Sequence, residues 1–164
     1  MNSQNLVNLL SGLTESFTFR ERPEPLHHSL RADYRIATLL LMLRICGRGG
    51  RSGLVKLHVL NWASRKHDSR RALLDRLAGR FDYFDIPLRF DPAFNRAVDL
   101  ARGEGLVERD QSQAISLTPS GQDCVNEILS NADCLEREKG FFGLVGKRLT
   151  DAKVNEMINP KTIW

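Results

Sequence analysis

The sequence predicts a mainly α-helical chain with one small β-hairpin, and three observations predict it. Apolar residues recur at helical spacing through most of its length. Two short alternating runs flank a polar turn late in the chain. Asp91-Pro92 and Thr118-Pro119, each a capping residue followed by a proline suited to the first helical position, mark helix starts on either side of that hairpin. A chain of 164 residues buries enough surface to fold without a disulfide or a metal. Hydrophobic residues at 41% and charged residues at 27% exclude a collagen-like or fully disordered polypeptide.

Residues 1–30 read as an N-terminal arm. Leu6, Leu9, Leu10 and Leu13 have helical spacing, residues 17–20 have extended character, and Pro23 and Pro25 exclude regular helix. Such an arm packs on its own domain or on a partner. Residues 33–46 give the clearest helix. Tyr34, Ala37, Thr38, Leu41 and Ile45 follow one face, while Ile36, Leu39, Leu40 and Leu43 cover others, the pattern of a central core helix. A glycine-rich loop at 47–53 breaks it, and Ser52 is the expected N-cap of a helix over 54–65 built on Leu54, Leu57, Leu60 and Trp62. A third helix over 69–78 uses Leu73, Leu74 and Leu77.

Residues 81–90 alternate as a short edge strand would. After Asp91-Pro92 a helix places Phe94, Ala97, Val98 and Ala101 on one face and ends at Gly103 and Gly105. Residues 106–109 and 114–118 form the hairpin strands around the turn at 110–113. Thr118-Pro119 opens a helix with Val125, Ile128 and Leu129. The last segment, 135–158, closes with a helix capped by Thr150 that aligns Val154, Met157 and Ile158.

This order of elements is that of a winged helix-turn-helix domain, with 92–104 in the place of the recognition helix and the hairpin as the wing. The chain divides into an arm (1–30), a helical core with the winged helix (31–132) and a C-terminal helical extension (133–164). Winged helices bind protein as readily as DNA, so the fold leaves function open.

Catalytic and ligand motifs fail on inspection. Gly47-x-Gly49 lacks the third glycine of a dinucleotide fingerprint and follows a helix rather than a strand. Gly146-Lys147 lacks the first glycine and the Ser/Thr of a phosphate loop. His27, His28, His58 and His67 have no zinc-site spacing, and Cys46, Cys124 and Cys134 form no CxxC pair. No cofactor, no metal and no enzymatic activity are expected. The thiols read as reduced, and neither a secretory leader nor a membrane span is apparent, so a cytoplasmic protein without membrane association is expected.

Charge is unevenly distributed. Residues 31–80 hold twelve Lys/Arg against three Asp/Glu, a net of +9, and the remainder is net −5, giving +4 for the chain. The candidate contact residues are Arg44, Arg48, Arg51 and Lys56 around the glycine loop, with Arg65, Lys66, Arg70 and Arg71 at the next helix junction. They meet either nucleic-acid phosphate without sequence preference or an acidic partner surface, and the two readings weigh equally. The alternative is a recognition helix that reads DNA through Asn95, Arg96 and Arg102. Asp99 and Glu104 on its outer face cancel the two arginines, and the turn at 110–113 has no basic residue, which argues against sequence-specific reading.

Three segments, RIATLLLMLRICGRGGRSGLVKLHVLNWASR (35–65), LRFDPAFNRAVDLARGEGLV (88–107) and GLVGKRLTDAKVNEM (143–157), together resemble the middle component of bacterial ABC three-component systems, the Lamassu-type anti-phage defence operons. The resemblance covers about residues 20–158. It implies a non-catalytic winged-helix subunit that scaffolds an SMC-like coiled-coil ATPase and an effector, often a nuclease, with non-specific contacts to double-stranded DNA as an added option. The alternative reading is a free-standing winged-helix transcription regulator.

Overall fold

The structure, a computed structural model, describes residues 27–80 and 90–158. Among the described residues seven α-helices share one core: α1 (Ala32–Leu41), α2 (Leu54–Arg65), α3 (His67–Leu77), α4 (Pro92–Gly103), α5 (Pro119–Ser130), α6 (Glu136–Val145) and α7 (Asp151–Met157). Three short strands, β1 (Arg51–Ser52), β2 (Val107–Arg109) and β3 (Ile115–Leu117), make a small antiparallel sheet. The described chain is therefore mainly α with a small sheet, as expected.

The all-round apolar pattern of α1 is explained by its position. Leu39, Leu40, Leu41, Met42 and Leu43 are all completely buried. A helix can bury five consecutive residues only when other elements cover every side of it. α4, α5 and α6 do so here. α1 then widens into a π-helical turn over Met42–Cys46, and the Gly47 N–H donates to the carbonyls of Met42 (3.1 Å) and Leu43 (3.2 Å). Any Cβ at Gly47 would sit 2.3 Å from the Leu43 carbonyl oxygen, so the exit from the helix requires glycine.

Gly49 and Gly50, with φ of 62° and 75°, are the central residues of a tight turn closed by Arg48 and Arg51. Two successive positive φ angles suit a hairpin turn and are costly for residues with a Cβ. The turn leads into β1, which pairs Arg51 with Ser116 and Ser52 with Ile115, while β2 pairs Val107 with Leu117 and Arg109 with Ile115. The sheet order is thus β1-β3-β2, and the chain enters β2 directly from α4.

Both proline-marked starts form. The Asp91 carboxylate accepts the Ala93 N–H at 3.0 Å, and the Thr118 hydroxyl accepts the Gly121 N–H at 3.1 Å. Thr150 caps α7 through the Lys153 N–H. Phe94, Ala97, Val98 and Ala101 are buried, and so are Val154, Met157 and Ile158. α6 and α7 enter the same core as α1 through Phe141, Phe142, Val145 and Val154.

Four expectations need correction. Ser52 does not cap α2: it is paired in β1, and Gly53 holds the N-cap position without a side-chain bond. β1 itself was not expected, because two residues are too few to show an alternation. The third helix starts at His67 rather than 69, since the extended backbone of Lys66 (φ −130°, ψ 148°) separates it from α2 and no further linker is needed. Trp62 is only partly buried, at the edge of the core rather than inside it. The expected arm helix before residue 27 lies outside the described residues, and so does the expected strand at 81–90 apart from Phe90, which is in no strand.

Leu40→Ala and Leu57→Ala each leave a cavity around a fully buried position and should destabilise the fold by about 2–5 kcal/mol. Gly121→Ala should be damaging by overpacking, because the new Cβ would lie 1.9 Å from the Leu106 carbonyl oxygen; a cost of about 1–3 kcal/mol is expected. Thermal unfolding checks all three. A parent-like transition for either leucine variant contradicts the core described above.

Candidate functional site

The eight candidate basic residues do not form one patch. Arg44, Arg48, Arg51 and Lys56 lie around the glycine turn, and Arg65, Lys66, Arg70 and Arg71 lie at the α2–α3 junction. α2, twelve residues and so about 18 Å long, separates the two groups.

At the glycine turn only some of the charge faces solvent. Lys56 is buried, and its ammonium donates to the Cys46 carbonyl at 2.8 Å, satisfying the end of the π-helical turn. Burial lowers its pKa, an effect that nearby Asp151 and Cys46 oppose. Arg51 reaches across the sheet to the hairpin tip, where it donates to the Asp110 carboxylate (Nε–Oδ2 2.9 Å) and to the Ser112 hydroxyl (2.8 Å). Asp110 also accepts from Ser112 Oγ and from the Ala114 N–H. The bonds from Ser112 and Arg51 hold its carboxyl down at about 2. Arg44 and Arg48 are exposed and have no carboxylate partner among the described residues.

The α2–α3 junction is more elaborate. Two ion pairs are buried there. Arg35 in α1 meets Asp91 at 2.9 Å, with side chains 9% and 14% exposed. Arg70 in α3 meets Glu138 in α6 at 2.9 Å, with side chains 12% and 10% exposed. Asp91 also accepts from Asn61 (3.4 Å) and Arg65 (3.3 Å) while capping α4, so one carboxylate ties α1, α2 and α4 together. Burial works to raise its pKa, but the bonds from Arg35, Asn61 and the Ala93 N–H outweigh that and hold it low. Arg70 donates twice to the Ser64 carbonyl and lies over the Phe141 ring. The Tyr34 hydroxyl donates to Glu138 at 3.2 Å; burial first, and then the Glu138 charge, raises its pKa. Arg71 stays on the surface beside Asp75.

A cleft of about 330 Å³ opens between these pairs, lined by five cationic side chains and one carboxylate. Lys66 and Arg137, which help to line it, are exposed and have no carboxylate partner among the described residues. The first turns of α1, α3 and α6 contribute to its walls, and none of the three helices has a side-chain N-cap. Their partial positive charge adds to that of the side chains.

The proposed reading helix α4 offers less. Asn95 is turned inward, its Oδ1 2.8 Å from His58 Nε2. Arg96 and Arg102 are exposed, alternating with Asp99 and Glu104. The inward turn of Asn95 corrects the expectation that it lies on the outer face. Among the described residues no cluster of three or more His, Cys, Asp or Glu side chains could hold a metal ion, and no helix is long and apolar enough to cross a membrane. Burial pushes the Cys46 thiol up to about 12, which leaves it unreactive.

Sequence reasoning missed Arg35, Asp91 as a hub, Glu138 and Arg137. Arg35 carried a usable signal: it lies three residues before Thr38 and four before Leu39, both on the buried surface of α1, where an arginine must find a partner. Glu138 and Arg137 carried none, because only the tertiary fold brings α6 to α3.

No protein-family model matches the chain, and neither a curated protein nor a solved structure matches it.

His58 generates a pH dependence. It is 1% exposed and lies edge-on to the Phe90 and Phe94 rings, and its Nδ1 has no hydrogen-bond partner. Nε2 faces the Asn95 oxygen and so carries the proton of the neutral ring. A second proton at Nδ1 would place charge among apolar groups, and burial accordingly lowers the pKa. The unfolded chain takes up that proton near its ordinary value of about 6.5. The stabilising effect is therefore complete above that pH and is lost as pH falls from there towards the lowered folded value. The melting temperature of the parent should drop on acidification through this window, and that of His58→Gln should drop less. Parallel profiles for the two proteins would contradict the assignment.

Proposed function

We propose that this chain is a non-catalytic accessory subunit with a winged-helix fold, which scaffolds an SMC-like ATPase and a nuclease-type effector in a bacterial antiviral system of the ABC three-component kind. The observation that favours the winged helix is the sheet order β1-β3-β2, with α1 before β1 and α4 leading straight into the β2–β3 hairpin. The three sequence segments of the resemblance carry the proposed partners, and the odd number of cysteines without a CxxC pair favours a cytoplasmic setting.

The balance of charge on α4 favours scaffold over reader. A helix docked in a major groove needs excess cation beside the phosphates and free donors for base edges. α4 presents alternating signs, and its asparagine is engaged by His58. At the hairpin tip, Asp110 and Ser112 are bonded to Arg51. The free-standing regulator is thus the weaker reading. Non-specific phosphate contact, if it contributes, falls to exposed Arg44 and Arg48 at the glycine turn.

Co-purification of the tagged chain from its native operon tests the proposal, with the ATPase and effector expected in the eluate. Arg96→Ala combined with Arg102→Ala should leave assembly and duplex binding within about twofold of the parent. A large loss confined to one operator sequence would establish the regulator instead. Arg44→Glu with Arg48→Glu separates the two roles of the turn. Loss of co-purification identifies an acidic partner surface. Weaker DNA binding, with a salt slope reduced by about 0.9 per contact, identifies phosphate.

A further inference from the structure

We propose that the cleft at the α2–α3 junction is a binding site for a nucleotide, a phosphate monoester carried on a flat ring. The inference goes beyond the scaffold reading and does not require a partner subunit.

Three features point to this ligand. The first is unspent positive charge in the cleft lining. The buried pairs Arg35–Asp91 and Arg70–Glu138 neutralise themselves. Arg65 shares Asp91 with Arg35 at the longer distance of 3.3 Å, and Lys66 and Arg137 have no carboxylate among the described residues. Three cationic groups not neutralised one-to-one therefore line a single cleft, which suits a doubly charged phosphate. The second is an aromatic wall. His28 and Tyr34 line the same cleft with ring centroids 4.9 Å apart, and His27 lies against His28 at 4.1 Å. Aromatic side chains beside a cationic groove are the arrangement that holds a base and its phosphate together. The third is size. At about 330 Å³ the cleft lies at the small end of the ligand-site range, far larger than an inorganic anion needs.

The buried pairs also make the cleft rigid. Arg35 is fixed by Ser29 O and Asp91, and Arg70 by Ser64 O and Glu138. The floor is therefore in place before a ligand arrives, and little ordering remains for binding to oppose. An acidic peptide fits less well, because its carboxylates are spread along an extended backbone while these cations share one cleft of about 330 Å³.

The test uses the full chain with adenosine 5′-monophosphate as probe and isothermal titration as readout. Saturable binding is expected, about tenfold or more tighter than that of adenosine, which lacks the phosphate. Lys66→Glu combined with Arg137→Glu should weaken it about tenfold or more. Both side chains are exposed, so the thermal transition should be unchanged. If the reversal fails to fold, Lys66→Gln with Arg137→Gln replaces it. Arg44→Glu, at the other end of α2, should leave the affinity unchanged, which separates a local site from general attraction.

Two oligonucleotides distinguish the source of the phosphate. Displacement of the probe by a 5′-phosphorylated single strand, but not by its 5′-hydroxyl counterpart, assigns the site to strand ends. Displacement by neither assigns it to free nucleotide. The proposal is overturned if no saturation is reached by about 10 mM probe. It is equally overturned if the double variant binds like the parent, or if poly-glutamate binds the cleft and the probe cannot displace it. Co-purification with an ATPase is a separate measurement, so failure of this site and failure of the scaffold reading are distinguishable.

Discussion

The complete burial of Leu39 through Leu43 is the constraint on which the rest of the structure depends. Five successive side chains point round more than a full turn of helix, so cover on one side cannot satisfy them. α4 and α5 approach from one part of the chain and α6 from another, and all three pack against α1. The π-helical turn follows from the same crowding. It carries Met42, Leu43 and Cys46 into the core while widening the backbone enough for the chain to leave at Gly47. From there the glycine turn has one course, back along β3. The sheet is small because β1 has only two residues before α2 begins.

The charge polarity along the chain has an internal meaning as well as an external one. Arg35–Asp91, Arg65–Asp91, Arg51–Asp110 and Arg70–Glu138 each join the basic segment 31–80 to an acidic residue outside it. Much of the net +9 is thus used to fasten the first half of the domain to the second. The exposed Arg51–Asp110 pair contributes little to stability by itself. The two buried pairs are different. Removing one partner would strand a desolvated charge, which is strongly destabilising, whereas an apolar replacement of both need not be. Their role is better described as fixing the relative positions of α1, α3, α4 and α6. Only after this internal use is subtracted does the remaining surface charge around α2 become informative: among the described residues Arg44 and Arg48 near one end of α2, and Lys66 and Arg137 near the other, are exposed without a carboxylate partner.

The helices were legible because their signals are local. The spacing of Phe94, Ala97, Val98 and Ala101, and the caps at Asp91, Thr118 and Thr150, depend on residues within a few positions of one another. The hairpin was legible for the same reason. β1 was not, since its pairing partner Ser116 is sixty-five residues away and two residues carry no periodicity. The candidate site was legible only as a list of cations. Nothing in the order of residues distinguishes Lys56, which satisfies a buried carbonyl, from Arg48, which faces water eight residues earlier. That distinction is made by the π-helical turn, whose carbonyls need a donor. Arg70 shows the same effect. Its place in the first turn of α3 opposes the helix dipole and suggests an external anion, but Glu138 supplies the anion from within the chain.

The hairpin and the cleft illustrate two uses of one chemistry. At the hairpin tip, the guanidinium of Arg51 and the hydroxyl of Ser112 converge on Asp110, so both donors have their acceptor inside the chain. At the cleft, internal carboxylates engage Arg35 and Arg70, and Lys66 and Arg137 have none among the described residues. A surface whose donors are already satisfied gains little from an anion, because each new bond must displace an equivalent one. A surface with unpaired donors held on a rigid floor gains the full difference between water and ligand. By this criterion the proposed wing is braced by its own contacts, and the junction between α2 and α3 keeps donors with which to bind an anion.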